Sequence, residues 1–120
     1  MSKKATTMKL IDYLKKPSSE KNEELLQNTV AETRNQYDLA LNSLESQIIQ
    51  KNGEIIKTKS LIEKKSSDLN DMKYNGNIQG LLDARKDKIQ LESKLETLNK
   101  EYQYLQDTKT FLGDIITELF

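Results

Sequence analysis

The acidic side chains that come closest to a chemical constellation are Asp68 with Asp71 and Asp83 with Asp87, each pair about one helical turn apart. Carboxylates at that spacing begin a hard-cation site, which needs several oxygen ligands. Arg85, Lys86 and Lys88 surround the second pair, so the pattern reads as a solvated helix face that neutralises itself, and no metal is expected. The chain has no His and no Cys, which removes imidazole bases, thiolate nucleophiles, disulfides and the usual zinc, haem and iron–sulfur ligands. Residues 75–80 (Asn-Gly-Asn-Ile-Gln-Gly) lack the lysine and the preceding strand of a phosphate-binding loop and read as a helix-to-helix turn. The five tyrosines are not interleaved with a basic stripe, so base stacking on single strands is not indicated. The expectation is a non-enzymatic protein with no catalytic residues and no cofactor, acting by binding.

Two apolar sets are the candidates for that binding. The first lies in residues 1–17, where Met8, Leu10, Ile11 and Leu14 share an amphipathic segment with Lys3, Lys4, Lys9, Lys15 and Lys16. Three readings of it compete: a structural cap on the rest of the chain, a helix that docks in a protein groove through Met8, Leu10, Ile11 and Leu14, or a basic contact with membrane or nucleic acid. The second set is Ile49, Ile56, Ile78, Leu82 and Ile89, which fall outside the helix–helix seam assigned below and would be wet in an isolated hairpin. Burying them against another copy is the simplest use of such a patch, with a different protein as the competing partner.

The elements that must position these residues follow from breakers and periodicity. Pro17 disfavours helix at Lys16, and Ser18 or Ser19 supplies an N-cap, so a long helix is expected over residues 18–74. Gly53 lies alone inside it and need not end it. The Asn75-Gly76-Asn77 break marks a turn at 75–77, and a second long helix follows over 78–120, with Gly80 and Gly113 as points where it would fray or bend. On the first long helix Leu41, Ile48, Ile55, Ile62 and Leu69 repeat every seven residues, alternating with Val30, Tyr37, Leu44, Lys51, Thr58, Lys65 and Met72. On the second, Ala84, Leu91, Leu98, Leu105, Leu112 and Leu119 alternate with Leu81, Lys88, Leu95, Tyr102, Lys109 and Ile116. These are heptad seams.

If the chain reverses between Met72 and Asn77, facing residues have numbers that sum to about 150. Under that rule Leu69 meets Leu81, Ile55 meets Leu95, Lys65 meets the small Ala84 and Tyr37 meets Leu112, and no two seam lysines share a layer. The fold class implied is all-α: an elongated antiparallel coiled-coil helical hairpin with a short N-terminal amphipathic helix folded onto Leu25, Leu26, Ile115, Ile116 and Phe120.

Composition agrees with this shape, since 35% hydrophobic against 32% charged residues leaves little material for a thick core. Basic and acidic residues balance at 19 each, but residues 1–16 carry five lysines against Asp12 alone, so the basic excess sits at one end. The leucine repeat resembles a leucine zipper in period only. Residues 84–90, just ahead of Leu91, lack its DNA-reading basic array, and nucleic acid is not an expected partner of the hairpin. No run of roughly 18–20 apolar residues occurs, so a transmembrane segment is not expected and the expected location is cytoplasmic. Seventeen Lys, ten Ile and nine Asn against four Ala are the usage of an AT-rich coding sequence, as in phages, plasmids and low-GC bacteria. The function expected is that of an assembly or adaptor protein, a scaffold or spacer with a protein partner and homo-oligomeric association. The alternatives are a small helical inhibitor that blocks a host enzyme or defence complex, and a nucleic-acid accessory protein using the basic N-terminus.

Overall fold

The computed structural model describes residues 8–15 and 23–120. They form α1 (Leu10–Lys15), α2 (Glu23–Asn75) and α3 (Ile78–Leu119). The described part of the fold is all-α: α2 and α3 are the arms of an antiparallel helical hairpin, and α1 is the short N-terminal helix. The expected helix start at Ser18 or Ser19 lies outside the described residues, as do Lys3, Lys4, Lys16 and Pro17. Gly80 and Gly113 lie within α3 without ending it, and Gly53 lies within α2.

The turn closes both long helices with two residues. Gly76 takes φ 72°, the left-handed conformation that costs a side-chain-bearing residue about 1–2 kcal/mol, and the Asn77 N–H then donates back to Met72 O at 3.3 Å. Asn77 at once caps α3: its Oδ1 accepts the Gly80 N–H at 3.0 Å, and its carbonyl accepts the Leu81 N–H at 2.9 Å. A Cβ on Gly80 would come within 2.6 Å of the Asn77 side chain. Gly80 therefore leaves room for the cap, and its presence in a helical first turn has a packing cause. In α2, Glu23 and Glu24 stand in the opening turn and Lys73 in the last, each at the end that the helix dipole favours.

The described residues fall into two compact units, one spanning Gln47–Leu105 and one combining the described residues up to Ser46 with Gln106–Phe120. Within Gln47–Leu105 the seam follows the heptads. Ile55, Thr58, Ala84 and Leu98 are buried, and every other assigned seam residue of this unit is half-buried. Two cross-helix ion pairs tie the arms together here: Lys51 Nζ lies 2.9 Å from Glu101 Oε1, and Lys65 Nζ lies 3.2 Å from Asp87 Oδ2. In both pairs the residue numbers sum to 152 rather than the expected 150, close to the 153 given by the ends of the helices at Asn75 and Ile78. Lys65 is half-buried at its seam position while its ammonium reaches Asp87.

In the other unit Lys109 Nζ pairs with Glu45 Oε2 at 3.2 Å. The Tyr37 ring meets Phe120 edge-on at 6.2 Å between centroids, and Arg34 sits 5.3 Å over the same Phe120 ring. Phe120 thus joins Tyr37 at a place where the sequence layers supply only Leu112. Both rings are long, and long side chains meet well away from their Cα atoms. Next to them Lys9 Nζ donates to Thr117 O at 3.0 Å, and Lys15 reaches Glu23 at 3.8 Å.

Candidate association surface

Positions beside a heptad seam divide into two flanks. In an antiparallel pair, the flank following the first core position of one helix lies alongside the same flank of the other. Within Gln47–Leu105 the acidic partners Glu101 and Asp87 stand on one of these flanks, where Lys51 and Lys65 reach them. Ile49, Ile56, Ile78, Leu82 and Ile89 take positions on the other. All five are exposed, from 47% for Ile89 to 73% for Ile49. The structure therefore places the five residues on one side of this unit, with the cross-helix ion pairs of the unit on the opposite side.

Singly exposed apolar residues are ordinary, but five on one flank of a two-helix layer are the kind of patch that marks association. Sequence reasoning alone could not say which flank of the hairpin is polar. That becomes legible only when the lysine-to-acid pairs are seen, because a seam lysine can leave on either side.

The N-terminal set is placed differently. Leu10, Ile11 and Leu14 are half-buried, and Met8 is 40% exposed. Lys9 holds a carbonyl in the last turn of α3, where the helix leaves acceptors without intrahelical donors and where a cation is favoured by the dipole. Leu25 remains exposed and Leu26 is half-buried.

The periodicity did not reveal a shallow groove of about 360 Å³ lined by Gln47, Lys51, Lys100, Glu101, Tyr104 and Leu105. It lies on the ion-paired flank. The hydrogen bond from Lys51 to Glu101 holds the Lys51 ammonium above the ordinary lysine value of 10.5; partial burial opposes this, and the charges of Glu101 and Glu54 add to it. Lys51 is thereby committed to two carboxylates, with Glu54 Oε1 at 3.6 Å.

Of the carboxylate pairs, Asp87 is held by Lys65 and Asp83 accepts a hydrogen bond from Gln79 Nε2 at 3.1 Å. Among the described residues no group of three or more His, Cys, Asp or Glu is arranged to hold a metal ion. No helix among them is long and apolar enough to cross a membrane. Comparison with protein families, with curated proteins and with solved structures finds no match to this chain.

Proposed function

We propose that this chain is a non-enzymatic coiled-coil assembly protein, a scaffold or spacer that associates with further copies of itself through the apolar flank of Gln47–Leu105. The observation that carries the reading is the exposure of five aliphatic side chains on one flank of that unit. Ile49, Ile56, Ile78, Leu82 and Ile89 are exposed on one side, and the cross-helix ion pairs stand on the other. The chemistry supplied by the sequence points the same way, since recognition by packing needs neither the imidazole nor the thiol that the chain lacks.

The test is the mass of the particle. Wild-type chain should show a concentration-dependent mass above 13.9 kDa in sedimentation equilibrium. Ile49→Glu with Ile56→Glu and Leu82→Glu should give a monomer with unchanged helix content. A wild-type chain that stays monomeric up to millimolar concentration overturns self-assembly.

For α1 the reading we favour is the cap, supported by the hydrogen bond from Lys9 to the end of α3 and by the half-burial of Leu10, Ile11 and Leu14. Leu10→Asp with Leu14→Asp should then lower the melting temperature. If the pair leaves stability untouched and abolishes capture of a protein ligand, α1 is a docking helix instead.

A further inference from the structure

We infer that α2 carries a second seam on its outer side and that the occupant of this seam is α2 of a second copy, running antiparallel and crossing at Gly53. The inference rests on the self-assembly reading and gives it a register. Ile49, Gly53, Ile56 and Ser60 recur at intervals of four, three and four residues, the spacing of a helix-packing seam. They lie away from the face that holds Lys51, Ile55, Thr58 and Ile62 against α3. Ile49 is 73% exposed and Ile56 60%.

Gly53 is the feature that needs a cause. A Cβ there would meet nothing within 4 Å, so no neighbour in the chain requires a glycine. Glycine in the middle of a helix nevertheless weakens it relative to alanine. A position without a side chain, set between two exposed isoleucines, allows another helix backbone to approach closely.

A second copy is self-complementary to this seam, and the charges beside it choose the antiparallel direction. With a two-fold axis at Gly53, Ile49 packs against the partner subunit's Ile56, and Ile56 against the partner's Ile49. A slip of one heptad destroys this. In one direction Ile56 meets its own copy but Ile49 faces Glu63, and in the other Ile49 meets its own copy but Ile56 faces Asn42.

The charges beside the seam agree with the crossing. On the flank where Asn52 lies near the axis, Lys59 faces the partner subunit's Glu45, and symmetry makes the contact twice. Lys59 takes part in none of the ion pairs among the described residues. Glu45 uses Oε2 for Lys109, leaving Oε1 for a second cation. A parallel copy would instead bring Lys59 to the partner's Lys57 and Lys64, which opposes that arrangement.

The absence of cysteine makes the test clean. Asn52→Cys should oxidise to a covalent dimer across the two-fold axis, whereas Leu82→Cys should not. Gly53→Leu should weaken association by roughly tenfold or more through overpacking. The same substitution should raise the melting temperature of the dilute chain, where its side chain has open space and better helix propensity. Lys59→Glu should weaken the dimer, and adding Glu45→Lys should restore it, with dilute-chain melting recorded beside each variant. A dimer that ignores Gly53→Leu and crosslinks at Leu82 but not at Asn52 overturns this seam and leaves self-assembly standing. A chain that is monomeric throughout overturns both.

Discussion

Leu98 and Leu82 are the same residue type on the same helix, sixteen positions apart, and the structure assigns them opposite fates. Leu98 is 6% exposed in the seam, and Leu82 is 55% exposed on the apolar flank. Leu→Ala in a packed interior costs about 2–5 kcal/mol, through lost transfer energy plus the cavity left behind. A layer only two helices thick lets solvent and neighbouring side chains fill that space, so the lower part of the range, about 2–3 kcal/mol, applies to Leu98→Ala. For Leu82→Ala roughly half the burial is absent, and the better helix propensity of alanine offsets part of the remainder, leaving below about 1 kcal/mol. With about 4–8 °C of melting shift per kcal/mol for a domain near this size, Leu98→Ala should melt roughly 10–20 °C lower and Leu82→Ala within a few degrees of wild type. The assay is thermal unfolding followed by circular dichroism at low micromolar concentration, repeated at a hundredfold higher concentration. The Leu98 loss should be the same at both, whereas the Leu82 loss should grow if the flank is covered by another copy. Equal losses in the dilute sample would mean that α3 is rotated about its axis and that the seam phase is wrong.

Other outcomes follow from single contacts. Gly76→Ala forces a side chain into φ 72° and should cost about 1–2 kcal/mol, read as a lower urea midpoint with an unchanged slope. Lys88 is the one seam lysine without an ion pair among those of the described residues, and it is half-buried; Lys88→Leu should stabilise the hairpin by about 1–2 kcal/mol in the same assay. The Lys51 ammonium titrates above 10.5 when folded, so its contribution to stability is fully present below that value and is lost as pH rises through the raised folded pKa. Stability should therefore show no Lys51 step between neutral pH and about 10. Glu101→Gln should bring the Lys51 titration, followed by side-chain NMR, back toward 10.5.

The heptads made the seam legible because burial in a two-helix layer depends on one variable, the angle around each helix. A period of seven samples that angle in every turn pair. Thr58 shows the limit of the reading. Its position called for burial, yet its hydroxyl is tolerated there because it donates to Glu54 O at 2.8 Å within its own helix, a local bond that no spacing announces. Gly80 read as a blemish until the Asn77 cap was seen to occupy the space where its Cβ would stand. The contact of Tyr37 with Phe120 was hidden because layer rules place Cα atoms, whereas long rings meet well away from them. The Lys9 bond to Thr117 joins residues 108 positions apart, and only the folded chain brings them together.

The seam lysines clarify why one flank is free to be apolar. Exposed ion pairs contribute only about 0–1 kcal/mol each, so Lys51 with Glu101 and Lys65 with Asp87 add little to stability in place of leucines. Their effect on alternatives is larger. If α3 slid one heptad along α2 in one direction, the flank residue facing Lys65 would change from Asp87 to Lys94; in the other direction, the residue facing Lys51 would change from Glu101 to Lys94. Either slip sets a seam ammonium against Lys94 and separates both native pairs. A repetitive leucine seam by itself tolerates such slips, because leucine meets leucine again after seven residues. The polar positions restore a single register, and they do so with both acids on one flank. Within Gln47–Leu105 this leaves the opposite flank without that duty, and Ile49, Ile56, Leu82 and Ile89 occupy it.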